Sequence, residues 1–289
     1  MRELLQYTRP QSMYDSEIHN YISKCTSTGD NFGDNPEELF TEFKDKMHNH
    51  IVSSKRNNAK GLDDFPQRDI ITGVTQFIDN IYQMKKLVYV LQNEYMYHFR
   101  LYGGRNILDT YKKLRPGNHL IISAPFPYYA DFHPDMDKIL DHCAENHVGV
   151  HIDACWWTCS KDLDFNFNHP AIKSIGFSLS KGLGLGANRI GIRYTKNSYN
   201  EETKALTAFY EKDSINLAND YDMVNQSPVW LGTKFIDKFG TDFWWNKYED
   251  TYNKMCKELH LTPSKAIHVA YDNKRMCGVR PILRKIYGR

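Results

Sequence analysis

Between residues 69 and 195, short apolar runs rich in β-formers alternate with amphipathic stretches of about ten residues. "DIIT" and "KLVYVLQ" read as strands, and "GVTQFIDNIYQMK" between them places Val74, Phe77, Ile78 and Ile81 at helical spacing. A helix over "NILDTYKKL" and the strand "NHLIISA" follow. The helix "DMDKILDHCAENH" then leads into the strand "VGVHIDACW". Two last strands, "IKSIGFSLS" and "RIGIRYT", flank a glycine-rich segment. Strands alternating with helices of this length predict crossover units, hence an α/β fold with a mostly parallel sheet and helices on both faces. Ligands of such sheets bind beyond the carboxyl ends of the strands, so the residues after "LIISA", "GVHID" and "GFSLS" are the first candidates for chemistry.

Outside this block the pattern changes. Residues 1–65 read as an irregular N-terminal segment. "CTSTGDNFGDNPEE" is dense in turn formers, and Asn35-Pro36 opens the helical "PEELFTEFKDKMHNHIV", with Leu39, Phe40, Phe43 and Met47 on one face. "SSKRNNAKGLDDFPQRD" reads as a polar, basic linker. Beyond residue 199 come two long helical stretches, "NEETKALTAFYEKDSINLAND" and "TDFWWNKYEDTYNKMCKELH", and a strand-like tail, "KAIHVAYD" and "RMCGVRPILR". The expected division is an N-terminal arm (1–65), a large α/β domain (66–199) and a small C-terminal α+β domain (200–289). The sequence contains neither an internal repeat nor a low-complexity tract.

Composition narrows the function classes. Across 289 residues, 37 Lys+Arg oppose 35 Asp+Glu for a net charge of +2, without the basic stripe a nucleic-acid binder needs. The strongest apolar run, "HLIISAPF", falls far short of the ~18 residues of a membrane span. "MRELLQYTRPQSM" lacks the apolar stretch of a signal peptide. The expectation is a cytoplasmic protein with no nucleic-acid or membrane partner. Its six cysteines then read as free thiols. Cys155 and Cys159 are four apart, but no second Cys/His pair at zinc-site spacing accompanies them, so no metal is expected.

The glycine-rich segment "SLSKGLGLGANRIGIR" is the most informative. Gly182, Gly184 and Gly186 form G-x-G-x-G rather than G-x-G-x-x-G, and Lys181 precedes the glycines instead of following them, so neither common nucleotide motif applies. What remains is Ser178, Ser180 and Lys181 at a strand end, flexible backbone, and Arg189 eight residues after the lysine. This segment resembles the lysine region of the fold-type I pyridoxal-phosphate aminotransferases (class I/II), whose S-x-S/A-K is followed by glycines and R-x-G. Ser178, Lys181, Arg189 and Gly191 match it. Upstream, "HIDACWW" resembles the family's D-E-A-Y, with Asp153 at the aspartate. "ISAPFPYY" resembles its N-P-x-N-P turn, "NEYMYHF" its P-x-Y with Tyr95 at the aromatic, and "ITGVTQFIDNI" the start of its phosphate-cup helix with Gly73 and Val74. "GDNFGDNP" faintly resembles its E-N-P. The resemblance spans about residues 31–194.

The resemblance implies a three-layer α/β/α sandwich with a small C-terminal domain, and a homodimer that takes amino acid and 2-oxo acid substrates. Pyridoxal 5′-phosphate would be held as an aldimine on Lys181, whose freed amine then moves a proton between the substrate Cα and the cofactor. Asp153 would keep the ring nitrogen protonated so that the ring acts as an electron sink. Tyr95 would stack on the ring, and Trp156 would stand at the ring-hydroxyl position. Gly73, Val74, Ser178 and Arg189 would receive the phosphate, and Arg280 of "CGVRPILR" the substrate carboxylate. The chain departs from the pattern at three places. Trp156 replaces a tyrosine, and an indole has no ionisable hydroxyl. Phe126 stands between Pro125 and Pro127 where an asparagine is usual. The tyrosine that reaches a neighbouring subunit's phosphate has no clear match. A lyase, decarboxylase or racemase using the same electron sink, and a non-catalytic binding protein of the same fold, are the alternatives.

Overall fold

The computed structural model describes residues 1–8, 10–27, 36–84, 86–196 and 225–287. Its centre is a seven-stranded sheet of order β2-β9-β8-β6-β5-β3-β4. The strands are β2 (Gln67–Ile71), β3 (Val88–Leu91), β4 (Ile107–Leu108), β5 (His119–Ser123), β6 (Gly149–Asp153), β8 (Ile172–Ser178) and β9 (Gly191–Thr195). All run parallel except β9, which is antiparallel to both β8 and β2. The parallel strands therefore end on one edge, where β9 begins. The register places Ser123 opposite Asp153 and Asp153 opposite Gly176 along that edge.

The alternation within β5 shows how both sheet faces are covered. Ile121 joins the buried side chains of α3 (Val74–Gln83), namely Val74, Phe77, Ile78 and Ile81. Its neighbours Leu120 and Ile122 point the other way and pack with Ile139, Leu140 and Cys143 of α5 (Met136–Glu145) and with Phe43 and Met47 of α2 (Pro36–Val52). A sheet buried on both faces needs continuous apolar strands, as the sequence supplies. At Gly176 the contact leaves no room for a side chain, since a Cβ would lie 2.8 Å from the Phe77 ring. β9 is tied to β2 by Arg193, whose Nε and Nη2 both donate to Asp69 Oδ2 at 3.0 and 2.6 Å in the buried interior.

The six strands expected between residues 69 and 195 are present, as are the helices over "GVTQFIDNIYQMK" and "DMDKILDHCAENH". Three expectations are corrected. "NILDTYKKL" forms no helix: Ile107 and Leu108 pair with Val90 and Leu91 as the edge strand β4, and only Tyr111–Lys113 makes a single 3-10 turn. Strand pairing overrides a helix-like pattern here. The basic "linker" contains β1 (Asn57–Lys60), which pairs in parallel with β7 (Leu163–Asn166). The described part of residues 1–65 is more regular than expected, because α1 (Ser16–Ser27) precedes α2, and Leu5, Met13 and Ile18 join the main core, while most of "CTSTGDNFGDNPEE" lies outside the described residues.

In the C-terminal part the helices Gln226–Phe239 and Phe243–Glu258 are followed by a three-stranded antiparallel sheet, β10 (Thr262–Pro263), β11 (Val269–Asp272) and β12 (Arg275–Gly278). "VRPILR" forms a helix, Arg280–Tyr287, rather than continuing the strand. Pro281 sits in its first turn, where a missing N–H costs nothing. The helix expected over residues 200–220 lies outside the described residues. The N-terminus crosses to this region, as Gln6 and Gly278 exchange two backbone hydrogen bonds of 3.0 and 2.7 Å. Among the described residues no helix is long and apolar enough to cross a membrane.

Candidate active site

The carboxyl ends of β2, β3, β5, β6 and β8 gather most of the residues singled out by sequence. After β2 the chain turns at Gly73, with φ of 84°, into the first turn of α3. A Cβ on Gly73 would lie 3.4 Å from Ser178 Oγ and 3.5 Å from Arg189 Nε and Nη2. Glycine is required twice over, by its positive φ and by this approach. A helix N-terminus, a hydroxyl and a guanidinium thus converge from three segments of the chain. Arg189 is anchored there by donating to the Thr72 carbonyl at 3.3 Å and to Thr75 Oγ1. Val74 contributes only backbone, since its side chain lies in the apolar layer under α3.

Asp153 ends β6 and is buried, with only 5% of its surface exposed. Oδ1 accepts the Cys155 N–H at 2.9 Å. Burial pushes its pKa up to about 6, and that single backbone bond pulls it back only in part. Tyr95 caps α4 (Met96–Tyr102) after β3 and is 46% exposed, its ring stacked on Tyr97 at 6.0 Å. Its phenol pKa is raised by burial and then by Asp153 and Cys155, which places the three groups in one electrostatic neighbourhood.

Lys181 follows β8 in the short helix Leu179–Gly182, whose N-cap Ser178 accepts the Ser180 N–H. The helix sits tightly on the turn after β6, since a Cβ on Gly182 would collide with Thr158. Burial lowers the pKa of the Lys181 amine, with Arg280 adding to the effect, while Cys155 and Cys159 oppose it. Nζ donates to the Pro10 carbonyl at 3.0 Å. Neighbouring parts of the same N-terminal segment hold the site from outside. Ser12 Oγ donates to the Ser180 carbonyl at 2.9 Å, and Arg280 Nη1 donates to Gln11 Oε1 at 2.6 Å.

The structure therefore assembles Gly73, Ser178 and Arg189 in one cradle and Tyr95, Asp153 and Lys181 around Cys155, with Arg280 in electrostatic reach of the lysine. Trp156 packs on the side of the C-terminal sheet, against His268, a neighbour of Lys181. Its ring meets His268 edge-on at 4.4 Å and packs beside Ala130, Ala266 and Val269. Four residues escaped sequence reading. His268 is buried next to Lys181 and burial keeps it neutral. Pro10 and Gln11 reach the site only through tertiary folding. Glu94, one residue before Tyr95, lies buried beside Asp153. Its position shortly after the end of β3 was a readable signal. Among the described residues no group of three or more His, Cys, Asp or Glu side chains is placed to hold a metal.

No family sequence model matches the chain, and no curated protein matches it by sequence. Solved structures match it by fold. Aspartate aminotransferase from Thermus thermophilus, in its structure with maleate, gives a TM-score of 0.60 at 10% identity, over 93% of this chain and 78% of that one. Histidinol-phosphate aminotransferase from Clostridium acetobutylicum gives 0.57 at 13% identity, over 92% and 81%. A Corynebacterium diphtheriae protein described as a pyridoxal-phosphate-dependent β-cystathionase gives 0.59 at 11%, over 91% and 75%. The chain thus has the fold of the pyridoxal-phosphate-dependent aminotransferases of fold type I.

Proposed function

We propose that the protein is a pyridoxal-phosphate-dependent aminotransferase that moves an amino group between an amino acid and a 2-oxo acid. The observation that carries this reading is the convergence, on one sheet edge, of a partly buried amine, a buried carboxyl and an anion cradle. The residues fit the group. The space a Gly73 Cβ would fill faces Ser178 and Arg189, a donor set suited to a phosphate. Asp153 is a buried carboxyl with no cation bonded to it among the described residues, an arrangement that favours a protonated ring nitrogen. When bound, pyridoxal phosphate supplies an aldehyde that amines attack and a ring that withdraws electrons from the bond being broken.

The chain's own residues divide the remaining work. Lys181 must be unprotonated to attack a carbonyl, and burial together with Arg280 shifts it that way. Once released, the same amine takes and returns the substrate Cα proton as general base and acid. Tyr95 offers its exposed ring face as a stacking platform. Arg280 orients the substrate carboxylate, for which Gln11 Oε1 has to give way. The test is an amino acid panel with 2-oxoglutarate or pyruvate as acceptor, followed by chromatography of both products. Stoichiometric formation of a new amino acid and a new oxo acid is expected. Release of ammonia, carbon dioxide or the enantiomer in their place would favour the lyase, decarboxylase or racemase reading, which the likeness to the β-cystathionase keeps in play.

We also propose a homodimer with the site at the subunit boundary. Of the two aromatic stretches offered by the sequence as anchors, "FWWNKY" is spent on the core, with Trp244 and Trp245 each 1% exposed. "YMYHF" exposes Tyr95, Met96 and Phe99 beside the site, an apolar patch suited to a second copy. Light scattering at micromolar concentration should give twice the 33.9 kDa chain mass. A single-chain mass for the active protein would contradict the proposal.

A further inference from the structure

Glu94 is a buried acid for which the activity proposed above has no use. It lies in the turn between β3 and α4 and is 8% exposed. Oε1 accepts the Tyr95 N–H at 2.9 Å and the Ser123 hydroxyl at 2.5 Å, while Oε2 accepts the Ser123 N–H at 2.9 Å. Among the described residues no Lys, Arg or His is bonded to it. Ser123, the residue that clasps it, stands directly opposite Asp153 in the β5–β6 register, and the Ala124 N–H donates to the Asp153 carbonyl at 2.9 Å. Two buried carboxyls thus flank one strand end, with no cation among the described residues bonded to either. An interior does not hold such a pair without cost unless something positive sits between them and the site.

We propose that Glu94 is a positioning residue for this site: it pins the turn that presents Tyr95 and, as the second carboxyl beside Asp153, strengthens the hold on a proton at the nitrogen of a bound heteroaromatic ring. The inference rests on the cofactor reading above. The groups facing Glu94 are few. β6 presents Asp153, and β5 presents only the amide and hydroxyl of Ser123. Its own turn presents Tyr95, whose phenol feels Arg189 and Arg100. His98 of α4 is bonded to Tyr82 and kept neutral by burial. Burial pushes the Glu94 pKa up to about 7, with Asp153 adding to it and the three donors pulling back. Above neutral pH Glu94 is therefore ionised. That is the range in which a ring nitrogen paired with Asp153 would give up its proton, and a second anion nearby delays the loss.

The experiment uses the full-length protein and pyridoxal phosphate labelled with 15N in the ring, and follows the ring-nitrogen shift against pH. Glu94→Gln removes the charge and keeps the size. The nitrogen midpoint should fall by roughly one pH unit relative to wild type, the low end of an opposite-charge neighbour's effect. Ser123→Ala leaves the carboxyl and removes one donor, so its midpoint should fall in the same direction by less. It carries the test if Glu94→Gln does not fold. Label bound equally by wild type and variants with an unmoved midpoint would overturn the role of Glu94 alone. Wild type that fails to bind the label would overturn the cofactor reading and this inference with it.

Discussion

Lys181→Ala is expected to abolish covalent retention of pyridoxal phosphate and to reduce amino transfer by on the order of 10²–10⁴-fold or more, the range for losing a positioned acid–base group. The reasoning is geometric. Lys181 is the one lysine carried to the carboxyl edge by β8, and its amine is already biased toward the neutral form by burial and by Arg280. Alanine suits a short helix, and the fold around it is fixed by Leu179 and Leu183 in the core, so the variant should melt with the wild type. The check is the visible absorbance of protein mixed with cofactor and desalted, together with single-turnover product formation. Retained absorbance and turnover in the variant would remove Lys181 from the mechanism.

Asp153→Asn is expected to keep the cofactor but to lose on the order of 10²–10³-fold in turnover, the scale seen when one oriented electrostatic partner is removed. An amide cannot hold a proton on a ring nitrogen by charge. A second readout needs no cofactor. The folded-state pKa of Asp153 is raised from 3.8 to about 6, so its contribution to stability is full below pH 4 and is lost as pH rises through 6. Above that window the variant has no buried charge to desolvate, and the cofactor-free protein should be the more stable by up to ~3 kcal/mol. Equal melting at pH 8 and unchanged turnover would together show that Asp153 does neither job.

How much of this was legible in the sequence depends on whether a residue's role is set locally or by packing. The strands of the central sheet announced themselves because a layer buried on both sides demands runs such as "HLIIS" and "GVHID". Ser178, Lys181 and Arg189 were legible because one strand–turn–strand unit carries them, and Asp153 because strand ends in such sheets face ligands. β4 and β1 were not, since two to four residues of edge strand acquire their state only by pairing with β3 and β7. Pro10 and Gln11 were invisible for the same reason: their contacts to Lys181 and Arg280 span 171 and 269 residues of chain. The contact of Trp156 with His268 was likewise hidden, since the two rings meet only through tertiary folding.

The most direct measurement is borohydride reduction of the protein after incubation with pyridoxal phosphate, followed by proteolysis and peptide mass spectrometry. The expected result is one stoichiometric, acid-stable pyridoxyl adduct on Lys181, in the segment that links β8 to β9. An adduct confined to another lysine, or none at cofactor concentrations that saturate binding, would contradict the account.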